Sequence, residues 1–325
     1  MFINMDRKFF LGANLPGREN TLGYEGTENQ LIKQYGLKEL NLIKGVSGNG
    51  KEILIRNVRN AFKEGDRDLY YCSGDAMSLD GVIFKDQKMG IIDATSPHIV
   101  DPIYHGLGIE RIINLAEAIQ TLNPKEALLL KEALDEFNLQ RQAFCKMASK
   151  YLTIVRDEMN FNNKSSPDGI EDVYKQVVHT IREMGVEPCP ERIHAFTRSF
   201  TGQGLIDLSK EMKGTRTIDL FAPPDVASIV YKRLNDEFGG YAFKHYLVPE
   251  RFFEGVMLGD LIIKTHPLYE HPPRGYAVDC AIEALWNADC CTHHYIENLY
   301  SEYIDFSVVD EKSAELIGMK PILEA

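Results

Sequence analysis

Glu39-Leu-Asn-Leu-Ile-Lys44 runs directly into Gly45-Val-Ser-Gly-Asn-Gly-Lys51-Glu52, after which Ile53, Leu54, Val58 and Phe62 recur at helical spacing until Glu64-Gly65. The first run alternates apolar and polar residues, as a strand does, and the third has the period of a helix ended by a glycine. Between them lies a glycine loop. Gly45, Gly50 and Lys51 fill the first three fixed places of the pattern G-x-x-x-x-G-K-[ST]. Glycines let successive backbone N–H groups turn inward, and the N-terminus of the following helix favours negative charge, so Gly45, Gly48, Asn49 and Gly50 are expected to cradle an anion. Lys51 would reach its outer oxygens. Glu52 stands where the pattern has Ser or Thr.

A second element follows at the spacing such a unit requires. Lys88-Met-Gly-Ile-Ile-Asp93 reads as an apolar strand that ends in a carboxylate, and Asp93 is the candidate magnesium ligand beside the loop. The ordinary alternative is a buried strand with a capping aspartate. Asp75, Ser78 and Asp80 come after the strand Asp68-Leu-Tyr-Tyr-Cys72, and Ser96, His98 and Asp101 come after the Asp93 strand. Ligands of open α/β sheets lie beyond the carboxyl ends of strands, so these residues are candidates for orienting a nucleophile or moving a proton. Asp75, Asp80 and His98 are the catalytic candidates. A polar loop with a helix cap, or a histidine bonded to a carbonyl, accounts for the same residues without catalysis.

The stretches Leu42–Lys51, Tyr71–Val82 and Ile91–Pro102 resemble the P-loop NTPases, and more narrowly a bacterial family of duplicated P-loop ATPase-like proteins. The resemblance implies ATP and Mg2+ as ligands but no particular substrate. The chain departs from that family at Glu52, where the hydroxyl ligand of magnesium is missing. A glutamate there could repel a triphosphate, ligate the metal through its own oxygen, or turn away from the site.

Composition bounds the remaining classes. The 325 residues exceed one ordinary domain, and 44% hydrophobic content allows sizeable cores. A net charge of −12 and a pI near 5.3 argue against a non-specific nucleic-acid or anionic-membrane binder. No run approaches the length of a membrane span, Met1-Phe-Ile-Asn-Met is too short for a signal-peptide core, and six cysteines do not make a disulfide framework. A cytoplasmic protein is the expectation.

Three echoes recur about half a chain apart. Asp80-Gly-Val-Ile83 matches Glu254-Gly-Val-Met257, Thr95-x-Pro97 matches Thr265-x-Pro267, and Asn60-Ala-Phe62 matches Asp236-Glu-Phe238. The expected fold is therefore α/β: two related P-loop-NTPase-like units with parallel sheets, over 1–120 and 189–325, joined by a helical hairpin over 121–188. An unrelated second α/β domain is the alternative. In the second unit Thr217-Ile-Asp-Leu-Phe221 leads into Ala222-Pro-Pro-Asp225, where the prolines lack the N–H groups that hold phosphate. In the connector, Asn123-Pro124 with Glu126 starts one helix, whose seam is 130, 134, 137, 141, 144, 148, 151 and 155. Ser166-Pro-Asp168 starts another, with Ile170, Val173, Val177, Ile181 and Met184 on one face. That pair is either a packed spacer or a surface for homo-oligomerisation or a protein partner.

Cys280, Cys290, Cys291, His293 and His294, with His266 and His271 upstream, offer metal-ligand types but no recognised spacing. The function expected from these observations is ATP binding with weak or absent hydrolysis. The alternatives are an active ATP-dependent phosphotransferase or ATPase, and a scaffold that docks partners through the hairpin without any nucleotide.

Overall fold

A computed structural model describes residues 6–11, 27–46, 48–95, 99–104, 106–161, 167–212, 215–246, 252–265, 279–280, 283–284 and 286–318. The first region holds β1 (Asp6–Phe10), α1 (Thr27–Tyr35), β2 (Glu39–Lys44), α2 (Lys51–Ala61), β3 (Arg67–Tyr71), β4 (Leu79–Phe84), β5 (Met89–Asp93) and β6 (Glu110–Asn114). Two helices follow, α3 (Pro124–Phe161) and α4 (Pro167–Glu183). The second region holds β7 (Arg192–Ala195), a hairpin of β8 (Arg198–Thr201) and β9 (Gly204–Asp207), β10 (Arg216–Leu220), α5 (Pro224–Phe238), β11 (Gly240–Lys244), β12 (Phe253–Leu258) and β13 (Leu261–Thr265). A π-helical turn, Asn287–Thr292, then leads into α6 (His293–Ser301) and α7 (Phe306–Gly318). The chain is thus α/β, with two sheet-and-helix regions separated by helices.

The sheets are mixed rather than parallel. The first has the order β1-β3-β4-β5-β2-β6, and only β4 runs against its neighbours. The second has the order β7-β11-β12-β13-β10, and only β12 is reversed. Taken strand for strand, β7, β10, β11, β12 and β13 repeat the order and direction of β1, β2, β3, β4 and β5. The detail repeats as well. Gly81 faces Ile92 as Gly255 faces Lys264, and Ile43 faces Asp93 as Leu220 faces Thr265. The pairing slips at Tyr70/Tyr71 in one sheet and at the matching Phe243/Lys244 in the other. Two of the three sequence echoes fall on matching places: Asp80–Ile83 and Glu254–Met257 on β4 and β12, and Phe62 and Phe238 at the ends of α2 and α5. The third is out of register by two residues, because the strand pairing sets Thr265 level with Asp93 and not with Thr95.

Helices cover the outer face of each sheet, and α1 packs on the inner face of the first. Strand residues alternate between faces. Val82, Phe84, Ile91 and Met89 meet Leu54, Ile55 and Val58 of α2 and Val309 and Leu316 of α7. In the second sheet Val256, Leu258, Leu261 and Ile263 meet α5 and the Tyr174, Val177, Val178 and Ile181 stripe of α4. The remaining faces pack on each other: Phe9, Tyr70, Ile83 and Ile92 share one core with Ile193, Ala195, Tyr241, Phe243, Met257 and Ile262, with α1 beside them. Every central strand is therefore buried on both sides, which explains why Leu79–Phe84 and Met89–Asp93 read as nearly continuous apolar runs.

The intervening helices start as their caps dictate. Asn123 Oδ1 accepts from the N–H groups of Lys125 and Glu126, while its amide donates to Glu126. Leu130, Ala133 and Phe137 pack with Ile296 and Tyr300 of the C-terminal helices, whereas Leu134, expected in the seam, is exposed, as are Leu128 and Leu139. The seam side chains at 144, 148, 151 and 155 lie outside the described residues. Among the described residues the principal neighbours of α3 are the 287–301 segment, and that of α4 is α5.

A buried polar cluster crosses the interface between the sheets. Asp68, fully buried, accepts from Tyr35 (2.6 Å) and Tyr241 (2.7 Å) and pairs with Arg7 (3.2 Å), whose Nε also donates to the Tyr241 hydroxyl. Removing the Tyr241 hydroxyl leaves Asp68 with one donor fewer and takes an acceptor from Arg7. Tyr241→Phe is expected to lower stability by about 1–3 kcal/mol. Urea unfolding measures this, and an unchanged midpoint would mean the cluster does not hold the sheets together.

Candidate functional site

Three elements position the candidate site. Strand β2 lies between β5 and β6, so the loop that leaves its carboxyl end emerges beside the end of β5. Glycine is required twice by backbone shape, since Gly48 and Gly50 have φ of 75° and 87°. Close approach constrains the loop too: a Cβ on Gly45 would fall 2.1 Å from the Asn49 amide nitrogen. Lys51 opens α2, and its Nζ donates to the Val46 carbonyl at 2.9 Å and lies 3.4 Å from Asp93 Oδ2. The other oxygen of Asp93 accepts from the backbone and hydroxyl of Thr95. The structure thus brings Gly45, Gly48, Asn49, Gly50, Lys51 and Asp93 together at one sheet edge.

Glu52 points elsewhere. Its Oε1 accepts from Arg56 Nε (2.7 Å) and from the Leu79 N–H (3.4 Å), while Arg56 donates to the Met77 carbonyl. Of the three arrangements open to a glutamate here, the carboxylate takes the one that turns it away from the loop, and it clamps the segment between β3 and β4. Ser199 Oγ holds the same segment from the second region through the Ser73 carbonyl. Asp75 is spent within that segment, where its side chain accepts from the Met77 N–H.

Asp80 is nearer to the loop's chemistry. It sits on β4, and continuing the register of Gly81 with Ile92 sets it across from Asp93. Burial, reinforced by the facing Asp93, pushes the Asp80 carboxyl well above the ordinary aspartate range, while a hydrogen bond with Cys72 and the charge of Lys51 act the other way. His98 lies outside the described residues, as do Ser96 and Ser47. Asp101 is tied to Lys44 (2.7 Å). Among the described residues there is no group of three His, Cys, Asp or Glu side chains placed to hold a metal ion, and Cys280 and Cys291 are free thiols.

The matching edge of the second sheet is built differently. Its loop is cut to Phe221-Ala-Pro223, Thr265 replaces Asp93, and Glu254 replaces Asp80. Arg198 lies 3.1 Å from Asp207 and 3.9 Å from Glu254, so an ion-pair cluster occupies the place. His245, buried beside Arg198, is pushed down to about 3 and is neutral near pH 7.

Sequence reasoning missed the roof over the loop. A Cβ on Gly48 would meet the Glu297 backbone of α6 at 2.9 Å, and one on Gly50 would meet Val309 of α7 at 2.9 Å; Val46 packs with the same C-terminal helices. The helix at Phe306–Gly318 returns to pack on α2, and no local feature of its residues signals that. Among the described residues no helix is long and apolar enough to cross a membrane. Compared with family models, with curated proteins and with solved structures, the chain finds no match.

Two measurements check this geometry. The native state holds the Asp80 proton more tightly than the unfolded chain does, so this group lowers stability as pH rises above about 4. Asp80→Asn should remove that dependence: the variant unfolds at a higher temperature than the wild type at neutral pH, and the gap closes towards pH 4. Glu52→Ser deletes the Arg56 and Leu79 contacts of a side chain that is 39% exposed, so the stability loss should stay below about 1 kcal/mol. Amide exchange at Leu79 should nonetheless speed up.

Proposed function

We propose that the first region binds a nucleoside triphosphate, ATP with Mg2+, through the loop 45–51 and turns it over slowly or not at all. The observation that carries this reading is the placement of Lys51 on a glycine loop at a helix N-terminus, 3.4 Å from Asp93 at the end of the adjacent parallel strand. The donor set fits the ligands. Lys51 is a point charge suited to outer phosphate oxygens, the glycine backbone offers N–H groups, and Asp93 supplies the hard oxygen that magnesium prefers. When bound, the metal ion would add charge that neutralises the phosphates. Lys51 then exchanges its partners, Val46 O and Asp93, for phosphate.

Slow turnover is supported by Glu52. The hydroxyl that normally follows the lysine is absent, and the glutamate in its place is engaged with Arg56 and Leu79. Asp75 is committed to its own turn. We further propose that the two regions descend from one ancestral unit by duplication, for which the repeated strand order, direction and slip position speak, and that the second has lost its phosphate loop.

Titration with ATP, with and without magnesium, alongside an assay for released phosphate, tests the function. The expected result is magnesium-dependent binding, weakened at least about tenfold in Lys51→Ala by loss of a charge-assisted bond, and no phosphate above blank. Rapid release abolished by Asp93→Ala would replace the proposal with an active ATPase or phosphotransferase. Absence of binding at millimolar ATP would overturn the nucleotide reading.

A further inference from the structure

Among the described residues of the loop, Asn49 is the one whose side chain the proposed function leaves unexplained. It is 0% exposed, and neither its amide nitrogen nor its amide oxygen has a hydrogen-bond partner among the described residues. A buried carboxamide in that state is costly, because both polar atoms have given up water and received nothing. Its position is specific. The amide nitrogen lies against Gly45, in the space where any side chain at that residue would stand, so the amide is folded back into the glycine loop. The loop cannot relax outward to accommodate it, because Gly48 abuts the Glu297 backbone and Gly50 abuts Val309 and Phe306. Lys51 is drawn inward as well, onto Val46 O and Asp93.

We propose that Asn49 is an internal stopper: in the resting protein its carboxamide fills the interior of the loop, and a phosphate group enters only when that side chain swings out. This deepens the nucleotide reading and rests on it. The arrangement has a physical logic. An unsatisfied buried amide raises the free energy of the closed loop, so the stopper is held by packing against Gly45 and beneath α6 and α7 rather than by hydrogen bonds of its own. Opening returns the amide to water or to a ligand oxygen, which offsets part of the work of displacing it. A closed loop of this kind discriminates against weakly bound anions, since only a ligand that gains several phosphate contacts at once recovers that work.

The alternative role for the same residue is a direct donor to the ligand, and the two roles predict opposite outcomes. Two variants of the full chain, Asn49→Ala and Asn49→Leu, are compared with the wild type by thermal unfolding without ligand and by calorimetric titration with Mg-ATP and with inorganic tripolyphosphate. For a stopper, Ala removes the unsatisfied amide and empties the loop: the unfolding midpoint rises by about 2–4 °C and affinity for both probes rises on the order of tenfold. Leu also removes the polar atoms but keeps the volume, so the midpoint rises while binding falls below that of the wild type. Tighter binding by Ala with weaker binding by Leu supports the stopper. Weaker binding by both variants, or a lower midpoint in both, overturns it and leaves the nucleotide reading standing. If neither the wild type nor Asn49→Ala binds either probe at millimolar concentration, both the stopper and the nucleotide reading fail.

Discussion

The contact between the two sheets governs the architecture, and Asp68 is its polar centre. A carboxylate with no access to solvent survives only when its charge is compensated, and here Arg7 supplies the charge while Tyr35 and Tyr241 supply hydrogen bonds. Burial works against the charge on Arg7, but Asp68, Tyr241 and Asp66 outweigh that cost and hold the guanidinium protonated. The partners come from both regions: Arg7 and Tyr35 from the first, Tyr241 from the second. Neither region satisfies the cluster alone. Around it the stacked rings of Phe9 and Tyr241, 5.2 Å apart, continue into the apolar core that both sheets share.

This interface has the character of a two-fold contact. By strand register, Asp68 and Tyr241 hold matching places on β3 and β11, and they touch each other. Phe10 and Phe196, at matching ends of β1 and β7, form a bridge. Contacts between equivalent positions are what an isologous pairing of two like units produces. The chain therefore behaves as a pair of similar α/β layers joined face to face, with α1 beside the shared core and the other sheet-covering helices outside. The asymmetry lies at the carboxyl edges. One edge keeps a glycine loop, a lysine and an aspartate; the other has a shortened loop and the Arg198–Asp207–Glu254 cluster. The proposed nucleotide site lies at the first of these edges.

Much of the local structure was legible in the residues. The strand before the loop, the helix after it, the capping box at Asn123 and the apolar stripe of α4 all obey short-range rules, and each element starts within a residue or two of where those rules put it. The loop glycines were legible for the same reason: positive φ and close approach are local requirements. Several readings failed where distant partners decide. Leu134 sits in the heptad-like seam yet is exposed, while Leu130, Ala133 and Phe137 meet the C-terminal helices. Ile53 belongs to the apolar repeat of α2, but the stripe that meets the sheet is Leu54, Ile55 and Val58, and Ile53 is exposed. The sheets were expected to be parallel, yet β4 and β12 are short returns between adjacent strands, and a return of that length must run antiparallel.

By itself the sequence determined the α/β character and the glycine loop with Lys51, because propensity, period and turn chemistry act over a few residues. Only the tertiary structure decided what Glu52 does. A glutamate at that position can face the loop or leave it, and the choice rests on whether Arg56 and the Leu79 N–H stand within reach, which depends on how the β3–β4 segment is held. The roof of α6 and α7 over Gly48 and Gly50, and the face-to-face pairing of the sheets about Asp68, were decided there too. Both join residues more than 150 positions apart, and such contacts are fixed by the packing of whole surfaces rather than by any local pattern.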